Sequence, residues 1–484
     1  MDIFFGRDKE KKILEKNFNS DKAEFIAIYG RRRVGKTYLI TEFFKNKGVY
    51  FEITGSKKAS LSEQIRNFCR EFNSFFGNEE TKTSIKDWGD AFYLLKDAIS
   101  KIPSDQKVIL FFDELPWLAS PKSGFLRALD YFWNRHASRM KNVKLIVCGS
   151  AAAWMIRKVI RDKGGLHNRL SAQIRLEPFS LSEVEELLRS EGVHFDRKQL
   201  ITLYMSIGGI PKYLNFVEPG KSVSQILNEV CFNPNGYLFQ EFHKLYESLF
   251  DKSENHIRVI RTLSDKRYGL LHTDLIRESG LTLGGGSTRI LEELEECGFI
   301  MSFPELGKIK RERHWRLIDE YSLFYLNWVE GMRSAILRGS DPEYWIKQQK
   351  TGKWQAWAGY SFENICLKHV FQIKKSLGLG GISTVEAQWS YRGKEKEMGA
   401  QIDLVIDRAD NCINLCEIKF SNDIYVLKKQ DKEDLERKVK VFRNQTKTKK
   451  TLFTTMITPY GVRENEYYIG TVQQQLTMDD LFIK

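Results

Sequence analysis

Residues 25–44, FIAIYGRRRVGKTYLITEFF, restrict the fold of this chain more than any other stretch. An apolar run, Phe25 to Tyr29, enters Gly30-Arg-Arg-Arg-Val-Gly35-Lys36-Thr37, and an amphipathic helical pattern follows. G-x-x-x-x-G-K-T between a strand and a helix is a phosphate cradle. Its glycines let backbone N–H groups curl around phosphate oxygens, and the helix N-terminus adds partial positive charge. The pattern implies an α/β fold built on a parallel sheet. Lys36 is placed to reach the β- and γ-phosphates of ATP, and Thr37 to hold Mg²⁺ by its hydroxyl. The candidate nucleotide contacts are Gly30, Arg33, Val34, Gly35, Lys36, Thr37 and Tyr38.

Two later segments fit the same sheet. KVILFFDEL holds a buried-type strand, Val108 to Phe112, ending in Asp113 and Glu114. A carboxylate at that strand end lies beside the phosphate loop, so Asp113 is the candidate metal partner of Thr37. Glu114 is placed to activate an attacking water, which points to hydrolysis. KLIVCGS adds a strand over 144–148, with Ser150 beyond it as a candidate γ-phosphate sensor.

These stretches, with FFGRDKEKKIL at the start and GGIPKYL at 208–214, resemble the archaeal-type AAA+ ATPases over roughly the first 250 residues. The resemblance implies an ATPase core over 1–177 and a helical lid over 178–252. It assigns Gly6, Arg7, Gly209 and Pro211 to segments that close over the nucleotide base. It gives Arg169 the role of an arginine that completes a neighbouring subunit's site, which implies an oligomer. Lys212 is the nearest candidate for a sensor in the lid.

From Glu254 the pattern shortens to three helices and a hairpin, the order of a winged helix-turn-helix over 253–330. Lys308, Lys310, Arg311, Arg313 and Arg316 make the expected wing basic and suited to phosphates. The third helix crowds Glu292, Glu293, Glu295 and Glu296, a poor charge for a duplex groove. DNA contact through the wing and docking on a protein both stay open.

After a Trp-rich helical connector over 331–357, the chain reads as an α/β restriction-endonuclease-like domain over 358–484. Glu363 sits near the start of an amphipathic helix, Asp403 in one strand and Glu417-Ile418-Lys419 in the next. Antiparallel neighbours can bring Asp403 beside Glu417, with Lys419 on the same face. Two carboxylates and a lysine so placed suit a divalent-metal phosphodiesterase centre. The set looks like the PD-(D/E)XK nucleases, which implies Glu363, Asp403 and Glu417 as Mg²⁺ ligands and Lys419 beside the nucleophile. Relatives often carry an acid where Gln401 stands. Residues 428–450 hold ten basic and four acidic side chains and read as a phosphate-contacting helix.

Composition agrees with this reading. The chain has 484 residues, 42% apolar, and a formal net charge of +13, which makes a polyanion such as DNA a plausible partner. It has no apolar run of the ~18 residues that span a membrane, and its start lacks a signal-peptide layout, so a cytoplasmic protein is expected. The seven cysteines are scattered without a C-x-x-C pair, which argues against a zinc site or disulfide framework. Three functional readings remain: an ATPase that gates a DNA nuclease, an ATP-driven switch whose nuclease-like domain only binds, and a replication-initiator-like DNA loader, which would need sequence-specific duplex binding.

Overall fold

Every position of VILFFD at 108–113 and of VKLIVCG at 143–149 is buried, as strands covered on both faces must be. These two strands lie inside a sheet made of β1 (Glu24–Tyr29), β2 (Val49–Thr54), β3 (Val108–Asp113), β4 (Val143–Gly149) and β5 (Ala172–Arg175). The order is β2-β3-β4-β1-β5, and every pairing is parallel. The computed structural model describes residues 5–77, 85–161, 168–250, 252–304, 306, 313–339, 344–393 and 398–484. The chain divides into two compact units, Met1–Glu177 and Pro178–Lys484, and the parallel sheet belongs to the first.

Aromatic packing closes one face of that sheet. Phe51, Phe68, Phe72, Trp88, Phe92, Phe112 and Phe125 share one core, with Trp88 and Phe125 meeting edge to face at 4.7 Å. Two of the helices that carry these rings start on side-chain caps. Ser60 and Glu63 form a capping box for Leu61–Phe76, and Asp87 caps Trp88–Ile99.

The second unit opens with helices Leu181–Ser190, Arg197–Ile207 and Val223–Cys231. Helices Ser253–Ser264, His272–Glu278 and Gly285–Glu296 follow, with β6 (Leu270–Leu271), β7 (Ile300–Pro304) and β8 (Arg313–Leu317). These strands make an antiparallel sheet in the order β6-β8-β7. A knot of indoles comes next: Trp345 lies 5.4 Å from Trp328 and 5.3 Å from Trp354, both edge-on.

The last sheet is mixed, with β9 (Thr384–Tyr391), β10 (Ala400–Arg408), β11 (Cys412–Ile418), β12 (Thr451–Ile457) and β13 (Gln474–Leu476). Its order is β13-β12-β11-β10-β9; β9 to β11 run antiparallel, and β11 to β13 parallel. Period-two alternation divides its faces. Ile413 and Leu415 pack with Phe442 of the helix Lys429–Thr446, whereas Cys416 lies near Cys366 of the helix Gly352–Lys368.

The helix Gly352–Lys368 differs from expectation in two ways. It starts at Gly352, within the stretch expected as connector, because the Thr351 side chain caps it by accepting from the Trp354 N–H. It is also buried on most sides, including Trp354, Tyr360, Glu363, Ile365 and Cys366. Strand β11 and the helix Arg197–Ile207 both pack on it, so its polar positions face protein.

At the end of that helix, His369 is buried and its tautomer is set by its partners. Nδ1–H donates to the Ile365 carbonyl (2.8 Å), leaving bare Nε2 to accept the Leu181 N–H (3.2 Å). Burial pushes its pKa down to about 4. A depressed histidine contributes stability that is full above its unfolded pKa near 6.5 and lost as pH falls through its folded value. Between pH 6.5 and 4 the second unit should therefore lose roughly 3 kcal/mol through this residue. Melting curves should show that loss in the wild type, and His369→Gln, though less stable at pH 7, should lack it.

Candidate nucleotide site and carboxylate centre

The phosphate loop is shaped by residues that accept its backbone angles. Gly30 has φ +151°, and a Cβ there would stand 2.3 Å from the Leu176 carbonyl oxygen, so only glycine fits. Gly35, at φ +89°, turns the chain into the helix Lys36–Phe44. Lys36 is buried, and its Nζ donates to the carbonyls of Gly30 (3.0 Å) and Arg31 (2.9 Å), which holds its charge inside the loop. Arg7, also buried, donates from Nη2 to the Val34 carbonyl (3.0 Å). It braces the loop from outside the motif, a role the sequence did not disclose. Gly6, beside it, has φ +64°.

Strand ends supply the acids. Thr37 Oγ1 donates to Asp113 Oδ2 at 2.6 Å, and Asp113 Oδ1 accepts the Glu114 N–H at 2.8 Å. Glu114 takes a left-handed backbone, φ 46°, which lets its carboxylate accept the Ser150 hydroxyl (2.6 Å) and the Ser150 N–H (3.3 Å). Hydroxyl and carboxylate oxygens meeting beside the loop are the hard donors that Mg²⁺ prefers, so Thr37 and Asp113 fit that ion. Tyr38 is 51% exposed on the following helix, and Arg169 is exposed just before β5.

Pro211 belongs to the second unit, at the first turn of the helix Pro211–Leu214. Gly209, before it, lies so close to Phe179 that a Cβ would stand 1.9 Å from the Phe179 carbonyl oxygen. Lys212 is exposed, its Nζ 5.7 Å from the Phe216 ring centre and 5.8 Å from that of Tyr237.

A parallel sheet whose internal strand feeds this loop, with Thr37–Asp113 and Glu114–Ser150 paired beside it, defines a P-loop ATPase. Residues 4–217 match the family described as an ATPase domain predominantly from Archaea, and the chain carries an ATPase domain of that archaeal type. Uncharacterized protein MJECL04 of Methanocaldococcus jannaschii is 25% identical over 413 residues, 83% of this chain and 85% of that protein. Uncharacterized ATP-binding protein MJ0423 of the same organism is 49% identical over 47 residues, 10% of this chain and 80% of that protein. The Walker-type ATPase of Pyrococcus abyssi is a similar solved structure, at 18% identity and a TM-score of 0.46, covering 67% of this chain and 96% of that one.

In the second unit Leu404 pairs with Cys416 across β10 and β11, which brings Asp403 and Glu417 together at the next position. Asp403 Oδ2 accepts the Ile418 N–H at 3.0 Å. Burial, with the charges of Glu363 and Glu417 nearby, raises its pKa to about 8. Glu417 is held by Lys419 at Oε1 (2.8 Å) and by Lys438 at Oε2 (2.5 Å). Burial works against its charge, but Lys438 and Lys419 outweigh it and keep the carboxyl below its ordinary range.

Arg316 lies elsewhere than the sequence placed it, and Glu363, on its expected helix and near enough to Asp403 for its charge to act there, is paired with arginines. Arg316 was expected on the wing facing phosphates, yet it is fully buried and donates from Nη1 to Glu363 Oε1 at 2.5 Å. Glu363, expected as a metal ligand, is also fully buried, and its second oxygen faces Arg267 Nη2 at 3.4 Å. Its oxygens thus point at arginines. Arg316, Arg267, Lys419 and Lys438 surround Glu363, Asp403 and Glu417, so four cations face three carboxyl groups. Among the described residues, no cluster of three or more His, Cys, Asp or Glu side chains is arranged to hold a metal. The acids have the right chemistry for Mg²⁺, but in this arrangement they do not fit it, because basic side chains already neutralise Glu363 and Glu417.

Other expectations resolve differently along the chain. Lys308, Lys310 and Arg311 lie outside the described residues, while Arg313 is exposed and donates to Ser302 Oγ (3.2 Å). The acidic third helix spends two of its charges internally: Glu293 binds His256 (3.0 Å) and Arg289 (2.8 Å), and Glu295 accepts from Ser302 N–H (3.0 Å). On the helix Lys429–Thr446, acids pair with the first turns' bases, as Lys432–Glu436 (3.8 Å) and Arg437–Asp434 (3.3 Å).

The nucleotide geometry leads to two measurable outcomes. Lys36→Ala should abolish steady-state ATP hydrolysis, since it removes the buried cation held inside the loop. Ser150→Ala frees the Glu114 carboxylate from its tether and should lower kcat by about 100-fold with KM for ATP little changed.

Proposed function

We propose that the chain is an ATP-hydrolysing protein that works on DNA and carries a C-terminal module of the PD-(D/E)XK nuclease type. Its parts run as an ATPase core over 1–177, a lid over 178–252, a winged helix over 253–330, a connector over 331–357 and the nuclease-like module over 358–484. Support for the winged helix comes from three helices, with β6 between the first two, and the β7–β8 pair after them, joined as the β6-β8-β7 sheet.

In the ATPase, Lys36 would neutralise the β- and γ-phosphates, and Thr37 and Asp113 would hold Mg²⁺, which would supply further charge neutralisation there. Glu114 positions the attacking water and Ser150 sets the angle of Glu114. Arg169, exposed before β5, reaches the site of a second copy, and nucleotide state gates access to the nuclease-like module. No helix among the described residues is long and apolar enough to cross a membrane.

The observation that carries the nuclease reading is the meeting of Asp403 and Glu417 across antiparallel strands with Lys419 on the same carboxylate. A second reading, an ATP-driven switch whose module only grips nucleic acid or a partner, is favoured by the excess of bases around those acids. Incubation with supercoiled and single-stranded DNA plus Mg²⁺ or Mn²⁺, with and without ATP, separates the two. The nuclease reading expects metal-dependent cutting that Lys419→Ala abolishes while ATP hydrolysis persists. Cutting that survives Lys419→Ala would remove the assignment, and no cutting in any nucleotide state would favour the switch.

A further inference from the structure

We propose that Arg316 of β8 is an internal counter-ion that closes the carboxylate centre to divalent cations, and that withdrawing it opens the centre. The inference rests on the nuclease-type reading of Asp403 and Glu417, and it concerns what controls them.

Three observations support it. Arg316 comes from the β6-β8-β7 sheet, whereas its partner Glu363 comes from the helix Gly352–Lys368, 47 residues later. Its guanidinium lies 4.6 Å from the Tyr360 ring centre and is fully buried, and Nη1 donates to Glu363 Oε1. Nε and Nη2 are buried without an acceptor among the described residues. A side chain kept only for packing would be apolar here, because orphaned buried donors are unfavourable and a buried ion pair is often no more stable than its hydrophobic replacement.

What Arg316 supplies that a leucine would not is a positive charge against Glu363 and near Asp403. A divalent cation would require the same carboxylates and would meet repulsion from the guanidinium. Arg267, from the loop before β6, adds a second cation to Glu363 at 3.4 Å. Both arginines therefore come from the expected DNA-binding region and bear on one acid of the nuclease-like module. Arg267 is 45% exposed at its side chain, so a phosphate backbone lying there would compete with Glu363 for it. Nucleic acid is thus the ligand class suited to loosen the contact.

Titration of the full chain with Mn²⁺, without nucleotide, tests the proposal by calorimetry. Arg316→Met should bind Mn²⁺ at least about 10-fold more tightly than wild type, and adding Glu417→Gln should cancel the gain. Arg267→Met should give a smaller gain and serves if Arg316→Met fails to fold, which circular dichroism would report. Equal Mn²⁺ affinity in wild type and both variants would overturn the proposal.

DNA cleavage measured in parallel separates this outcome from the fate of the nuclease reading. A metal gain without cleavage supports the closure and ends the nuclease reading. Equal cleavage by wild type and Arg316→Met, with no metal gain, overturns the closure and leaves the nuclease standing. Neither metal gain nor cleavage overturns both.

Discussion

The arrangement of the second unit turns on one buried contact, Arg316 to Glu363 at 2.5 Å with neither side chain exposed. Removing one partner of such a pair leaves a charge stranded in low dielectric and costs roughly 3–5 kcal/mol, whereas a matched apolar pair often costs nothing. The contact is thus strong against single change without being a source of net stability. It ties the three-stranded sheet to the helix that backs the mixed sheet, and it places a positive charge near enough to Asp403 to act on it. Lys438 and Lys419 add their charges at Glu417. A centre built from acids becomes, through its neighbours, a centre with surplus positive charge.

The ATPase unit follows a different logic. Its polar groups pair with one another at the carboxyl ends of the strands: Thr37 with Asp113, Glu114 with Ser150, Lys36 with its own loop. Each contact fixes a side chain near the loop and leaves the loop's backbone shape to Gly30 and Gly35. Arg7 extends the same scheme by fastening the loop from a preceding segment.

What could be read from the sequence follows sequence distance and burial. The phosphate loop was legible because its residues are contiguous and their spacing has a physical cause. Strands β3 and β4 were legible because a parallel sheet demands unbroken apolar runs. Asp403 and Glu417 were legible because a short turn joins their strands, so local pairing sets their meeting. Arg316 was misplaced because a basic residue in an expected hairpin was assumed to face solvent, and its partner lies 47 residues away. The partnership of Lys438 with Glu417 spans 21 residues and two kinds of element, with no local signal. The acids of the third helix looked like a repulsive surface, but His256, Arg289 and Ser302 take up two of them.

The central claim is that the chain's own cations, led by Arg316, keep a divalent metal from Asp403 and Glu417. Anomalous diffraction from crystals of the unaltered chain soaked in Mn²⁺ addresses it most directly. The account predicts no manganese at Asp403 and Glu417 while Arg316 remains on Glu363. Manganese bonded to both acids with the Arg316–Glu363 contact intact would contradict it.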